Sequence, residues 1–227
     1  MTSTSALTLP VPPGVVRAVR LGGGAAIAPA PASWSLQELR GRLVEISGVG
    51  DSACLTLAFS VVLDAQHQRE TVAWVTRTES CFFPLDAWAS GADLQALAVI
   101  RLPGDREIMR ATDRLARSGG FGLVVFDLGS ASNKATALGR AAAPRISPAM
   151  LARLRSLAHR HDMAMLCLTR KTNHDSSLGP MVSLRAEACR DRLDVDRFTC
   201  TVNVLKDKQR GAGWRHAEIL RGPDGLQ

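Results

Sequence analysis

From Trp34 onward, short apolar runs alternate with longer amphipathic stretches. Runs rich in β-branched and other apolar residues fall at 43–47, 72–76, 97–102, 122–128 and 163–169. Helical periodicity fills the gaps between them, which predicts a mostly parallel sheet with crossover helices. The helix expected at 147–160 is well marked. Ser147 is placed to cap it and Pro148 suits its first turn. Met150, Leu151, Leu154, Leu157 and Ala158 form one apolar stripe, leaving Arg153, Arg155 and Arg160 outside. The stretch 106–117 behaves similarly, with Asp105 before it and Gly119-Gly120 closing it. Beyond Val182 the rhythm changes to three successive strand-like runs, "VSLRAEA", "RFTCTVNVLKDK" and "WRHAEILRG", with a hairpin turn at "QRGAG". The expected fold class is therefore α/β: a mostly parallel central sheet flanked by helices, ending in antiparallel strands.

Residues 1–33 break this pattern. They hold five of the eleven prolines and a Gly22-Gly23-Gly24 run, a composition expected of a flexible arm, with 34–227 as the core domain. Within the arm, "VVRAVRLG" reads as a short strand. Val15, Val16, Val19, Arg20 and Leu21 are thus candidates for pairing with the sheet edge of another chain.

Composition narrows the reading. No apolar run reaches the roughly 20 residues of a membrane span, and no secretory signal pattern opens the chain. Five scattered cysteines without a CxxC pair argue for reduced thiols in a cytoplasmic protein, not for disulfides or zinc. Through Ser118 the chain carries 11 Lys+Arg against 11 Asp+Glu; from Gly119 onward it carries 17 against 10, which holds the whole +7 excess. A positive half can attract nucleic acid or an acidic protein surface, and it equally fits a solvated arginine-rich surface.

The candidate chemistry begins at "GRLVEISGVGDSACLTLAF". A buried strand leads into Gly48-Val49-Gly50-Asp51-Ser52 and then a helix, the layout of a phosphate-binding loop. Such a loop ends in Gly-Lys-(Ser/Thr), whereas Ala53, Cys54 and Leu55 stand there. Ala53 adds a methyl where the backbone should close around phosphate. Cys54 brings no permanent positive charge, and Leu55 cannot ligate magnesium. Gly48, Gly50, Ser52, Ala53, Cys54 and Leu55 thus form a vestigial loop, with nothing to stabilise phosphoryl transfer. The strand "GLVVFD" ends in Asp127, the outline of a Walker B element, and without a metal partner Asp127 reads as a loop-capping carboxylate. Ser52 in "GDSA" has the look of a hydrolase nucleophile, but no histidine motif accompanies it; helix capping by Asp51 or Ser52 is the plainer reading. The polar loop 169–179 follows a strand's carboxyl end, where open α/β sheets bind ligands. Arg170 and Lys171 in it are candidates for non-specific DNA or partner contact. The four tryptophans read as packing anchors, and any one on the surface becomes a candidate contact.

Over roughly residues 34–222 the chain resembles the RecA recombinase core in order and spacing. "RLVEISGVGDSACLTL" lies where that family has strand, phosphate loop and helix, and "VAWVTRTE" is similar to the next strand, with Glu79 one residue off the catalytic glutamate. "RATDRLARSGGFGLVVFDLGS" resembles the helix and Walker B strand. "MAMLCLTR" resembles the strand bearing the nucleotide-sensing glutamine, a place taken here by Arg170. "VRLG", ending at Gly22, is similar to the segment by which one RecA protomer docks on the next. Loop 171–180 looks like a shortened second DNA-binding loop. A short relative with a Pro/Ala-rich start and "VLKDKQRGAGW" near its end resembles the ImuA family, accessory proteins of mutagenic translesion synthesis.

That resemblance implies a non-enzyme induced by DNA damage (the SOS response), without cofactor or metal. Its implied partners are RecA recombinase and the polymerase-like ImuB, with at most weak non-specific DNA contact and no membrane. Two rivals stand beside it: a nucleotide-dependent DNA-binding RecA paralogue, and a serine hydrolase using Ser52.

Overall fold

The computed structural model describes residues 32–80, 82, 87–88, 90–129 and 146–221. Val15, Val16, Val19, Arg20 and Leu21 lie outside these residues. Eight strands form one sheet: β1 (Leu43–Ser47), β2 (Val72–Arg77), β3 (Leu97–Leu102), β4 (Leu123–Asp127), β5 (Ala164–Thr169), β6 (Leu184–Arg192), β7 (Arg197–Asp207) and β8 (Arg215–Arg221). Their order is β3-β2-β4-β5-β1-β6-β7-β8. The first six run parallel, and β6-β7 and β7-β8 pair antiparallel. The sheet thus changes character where the sequence rhythm does.

β1, β4 and β5 are buried along their whole length and β2 nearly so, because helices cover both faces. On one side lie α1 (Leu36–Leu39) and α2 (Cys54–His67), packed on Val44, Ile46, Trp74, Val125 and Leu166. On the other lie α3 (Asp105–Ser118) and α4 (Pro148–Arg160), packed on Val75, Val124, Phe126 and Met165. The strand alternation sends neighbouring residues to opposite cores. Among the described residues no helix is long and apolar enough to cross a membrane.

The caps follow local chemistry. Ser147 Oγ accepts from the Met150 amide at 3.2 Å and Pro148 opens α4, as its sequence predicts. α3 ends on Gly119 at φ 65°, a left-handed cap that favours glycine. Asp105, by contrast, is the first helical residue and not a cap; its carboxylate takes the Arg77 guanidinium at 2.5 Å. That charge at a helix start remains favourable.

One buried pair ties the antiparallel wing to the parallel body. Arg42, just before β1, donates to Asp207 at the end of β7 at 2.5 Å, both side chains almost wholly buried. Asp207 also accepts from the Gln209 amide at 2.8 Å and from Trp214 Nε1 at 3.1 Å. Burial pushes the Asp207 carboxyl up, but these donors and Arg42 outweigh it and hold it below the ordinary carboxylate value. Its stabilising contribution is therefore complete above the unfolded value near 4 and fades as pH falls through the lower folded value. Asp207→Asn leaves Arg42 buried without its counter-charge and is expected to lose about 3 kcal/mol at pH 7. Urea melts should show that deficit, and the gap to the native sequence should narrow below pH about 4.

Candidate functional site

The carboxyl ends of the parallel strands, the usual ligand edge of such a sheet, enclose a cleft of about 320 Å³. Its walls come from four connections. β1 supplies the loop Gly48, Gly50 and Ser52 and the helix start Cys54 and Leu55. β4 supplies Asp127 and Gly129, β5 supplies Leu168, Thr169 and Arg170, and the turn after β2 supplies Glu79. The structure therefore gathers the vestigial loop, the Walker B-like acid, Glu79 and Arg170 around one space.

The loop has turned inward. A Cβ on Gly48 would collide with the Ser52 side chain and sit 3.0 Å from Cys54 Sγ, so the loop tolerates only glycine there. Gly50 holds the turn with φ at 60°. Ala53 is wholly buried in the core beneath α2, and Cys54 and Leu55 pack against the same cluster. Where a phosphate site would present charge, this chain has extended its hydrophobic core. Burial pushes the Cys54 thiol up to about 11, with the hydrogen bond from Ser52 only partly opposing it. A helix N-terminus would favour the thiolate, and desolvation wins.

The expected capping does not occur. α2 begins after Ala53 with no side-chain cap. Ser52 turns instead toward Gly48 and Cys54, and Asp51 is solvent-exposed with Arg190 at 3.9 Å. No histidine lines the cleft among the described residues, so Ser52 has no base beside it. Asp127 is nearly buried; it accepts from the Gly129 amide at 2.9 Å and from Thr76 Oγ1 at 3.2 Å, the geometry of a loop-capping carboxylate.

Arg170 and Lys171 part company. Arg170 is exposed at the cleft. Lys171 is buried, and its ammonium donates to Glu45 at 2.8 Å and to the Ser176 carbonyl at 3.2 Å. The reading of Lys171 as a DNA or partner contact is corrected on this ground: its charge is already used inside the fold. Glu45, in the middle of β1 and wholly buried, also accepts from Thr169 Oγ1 at 3.1 Å, Ser177 Oγ at 3.0 Å and the Leu178 amide at 2.8 Å. Arg185 adds bonds to the carbonyls of Thr172 and Asp175, and Lys208 to that of Pro180. Segment 171–180 is therefore clamped to the sheet. Sequence reasoning missed Glu45, whose signal was a lone acid in an otherwise apolar strand.

The tryptophans divide too. Trp34 and Trp74 are core residues, the latter stacked on Phe59 at 4.9 Å, and Trp214 is half-buried. Trp88 is 67% exposed, which places one indole on the surface.

Two outcomes are expected. Lys171→Ala leaves Glu45 buried without its cation; it should cost about 3 kcal/mol in urea melts and open segment 171–180 to limited proteolysis. With iodoacetamide at pH 8, Cys54 holds about one thiolate in a thousand, so peptide mapping should find half-exposed Cys189 labelled long before it.

The comparisons agree with this architecture. The RecA N-terminal domain family matches residues 35–173. The RecA protein of Fusobacterium nucleatum subsp. nucleatum is 35% identical over 88 residues, 39% of this chain and 23% of that protein. The RecA protein of Rhodospirillum rubrum is 38% identical over 88 residues, covering 39% of this chain and 24% of its own length. The aligned segment thus spans less than a quarter of these relatives. A crystal structure of the RadB recombinase superimposes with a TM-score of 0.56 at 16% identity, covering 81% of this chain and 88% of that one. That likeness shows the α/β fold, with its mostly parallel sheet and antiparallel C-terminal strands. Because the family match covers more than half of the sequence, this chain belongs to the RecA N-terminal domain family.

Proposed function

We propose that this chain is a RecA-like accessory protein that has given up ATP hydrolysis and acts by binding other proteins. Its setting is mutagenic translesion synthesis after DNA damage, with RecA recombinase and an ImuB-type polymerase-like protein as partners, as in the ImuA family. The observation that carries the non-enzymatic reading is the start of α2. Ala53, Cys54 and Leu55 there belong to the hydrophobic core, and the thiol at the lysine's place is held neutral.

Magnesium-bound ATP does not fit these residues. Among the described residues the cleft offers one guanidinium, Arg170, against the carboxylates of Glu79 and Asp127, and Cys54 and Leu55 stand where a triphosphate and its metal require a lysine and a hydroxyl. What the fold still offers is surface. Trp88, exposed on a connection next to β3, is the side chain best suited to anchor a protein partner. A molecule that docks on a recombinase without supporting turnover restrains or recruits it near a lesion-bypass polymerase.

Purified full-length chain should form a complex with RecA or ImuB in size-exclusion chromatography, and Trp88→Ala should weaken it at least about 10-fold. Titration with magnesium-ATP should give no heat and no phosphate release. ATP turnover that disappears when Cys54 is replaced would falsify the non-enzymatic reading. Failure to bind either protein would sink the docking role.

A further inference from the structure

On the face of the sheet opposite α2, helix α3 carries Arg106, Arg110, Arg114 and Arg117. All four are exposed, and their 4-4-3 spacing aligns them on one side of the helix. Helix α4 packs beside α3 and adds exposed Arg153 and Arg160, seven residues apart and so on one line. Asp113, lying between the helices, takes Arg117 at 2.9 Å and Arg153 at 3.7 Å. Asp105 is held by Arg77, and the half-buried Glu107 folds back toward Gly104. Among the described residues, Arg106, Arg110, Arg114 and Arg160 have no carboxylate within ion-pair distance.

We infer that this α3–α4 face is a nucleic-acid backbone site, recognising duplex phosphates without reading sequence. Unpaired guanidinium groups repel one another and gain most from a polyanion that displaces condensed counterions. The arginines step about 6 Å along the helix, close to the advance of two phosphates on one strand of a duplex. Guanidinium also matches phosphate geometry in a bidentate manner.

The composition of the patch selects this occupant over an acidic protein. A protein interface needs a desolvated apolar or aromatic centre. Among the described residues, none of the exposed large apolar side chains, Trp88, Val99 and Ile219 included, lies on α3 or α4. The same lack of an inserting apolar rim disfavours a lipid surface, and the lack of a stacking ring disfavours unpaired bases. None of these arginines lines the cleft or belongs to segment 171–180, and the face takes over the non-specific DNA contact for which Lys171 is not available.

The test uses the full chain and a labelled 20-base-pair duplex in fluorescence anisotropy across a salt series. Arg106→Gln/Arg110→Gln/Arg114→Gln keeps helix-forming residues and should bind at least about 10-fold more weakly at low salt, with the log–log salt slope shallower by about 3. Each single substitution should lower the slope by about 1, a readout that stands if the triple variant does not fold. A control with equal charge loss, Arg192→Gln/Arg197→Gln/Arg215→Gln on the wing, should keep most of the affinity. Equal losses in both triples would overturn the proposal, since bulk charge alone then explains binding. So would an unmodified chain with no salt-sensitive duplex binding. Binding confined to phosphatidylserine vesicles or polyglutamate, lost in the α3 triple, would reassign the face and overturn it as well.

Discussion

A carboxylate with no access to water sits at the centre of the parallel sheet, and the carboxyl edge is organised around it. Glu45 belongs to β1, yet its four donors come from the end of β5 and the segment that follows. An ionised carboxylate in such a place is tolerable only when both oxygens are fully bonded and a cation stands beside it. Lys171 provides the cation, and the remaining donors use residues that an open loop would leave in solvent. The price of keeping Glu45 charged is thus the loss of a free loop. Its neighbour Thr169 lines the cleft, so the clamp also fixes one wall of that cleft.

Opposite that wall the chain has taken the reverse course. Around α2 the polar requirements of phosphate binding are replaced by packing, with Ala53 in the core and Cys54 held as a neutral thiol. The two substitutions of character meet in one cleft: charge locked beneath β5, apolar surface beneath β1. Positive charge is placed instead on the far face of the sheet, along α3. The family's architecture survives around a cleft that holds little positive charge.

The fold was largely legible in the sequence because buried parallel strands read as unbroken apolar runs and α4 carries its own cap and stripe. The strand that the apolar run predicts at 97–102 is β3, end to end. The four-residue helix α1 left no periodic signal long enough to notice. Capping was less legible: Asp105, Asp51 and Ser52 all carry the right chemistry for an N-cap, but tertiary partners compete for them, Arg77 for the first and the loop interior for Ser52. At the site, the replaced loop residues were visible as departures from a motif. The burial of Lys171 was not, because its partner lies 126 positions away in the chain. Local polarity suggested solvent, and only the pairing of β1 with β5 shows where the ammonium points.

The uneven fate of the tryptophans has an optical consequence. The chain contains no tyrosine, so its ultraviolet emission comes from four indoles alone. Two of these are sealed inside the molecule and Trp214 is half-shielded, whereas Trp88 stands in water. The protein therefore carries a native lamp at one surface point, open to collisional quenchers and dimmed or shifted whenever something settles over it.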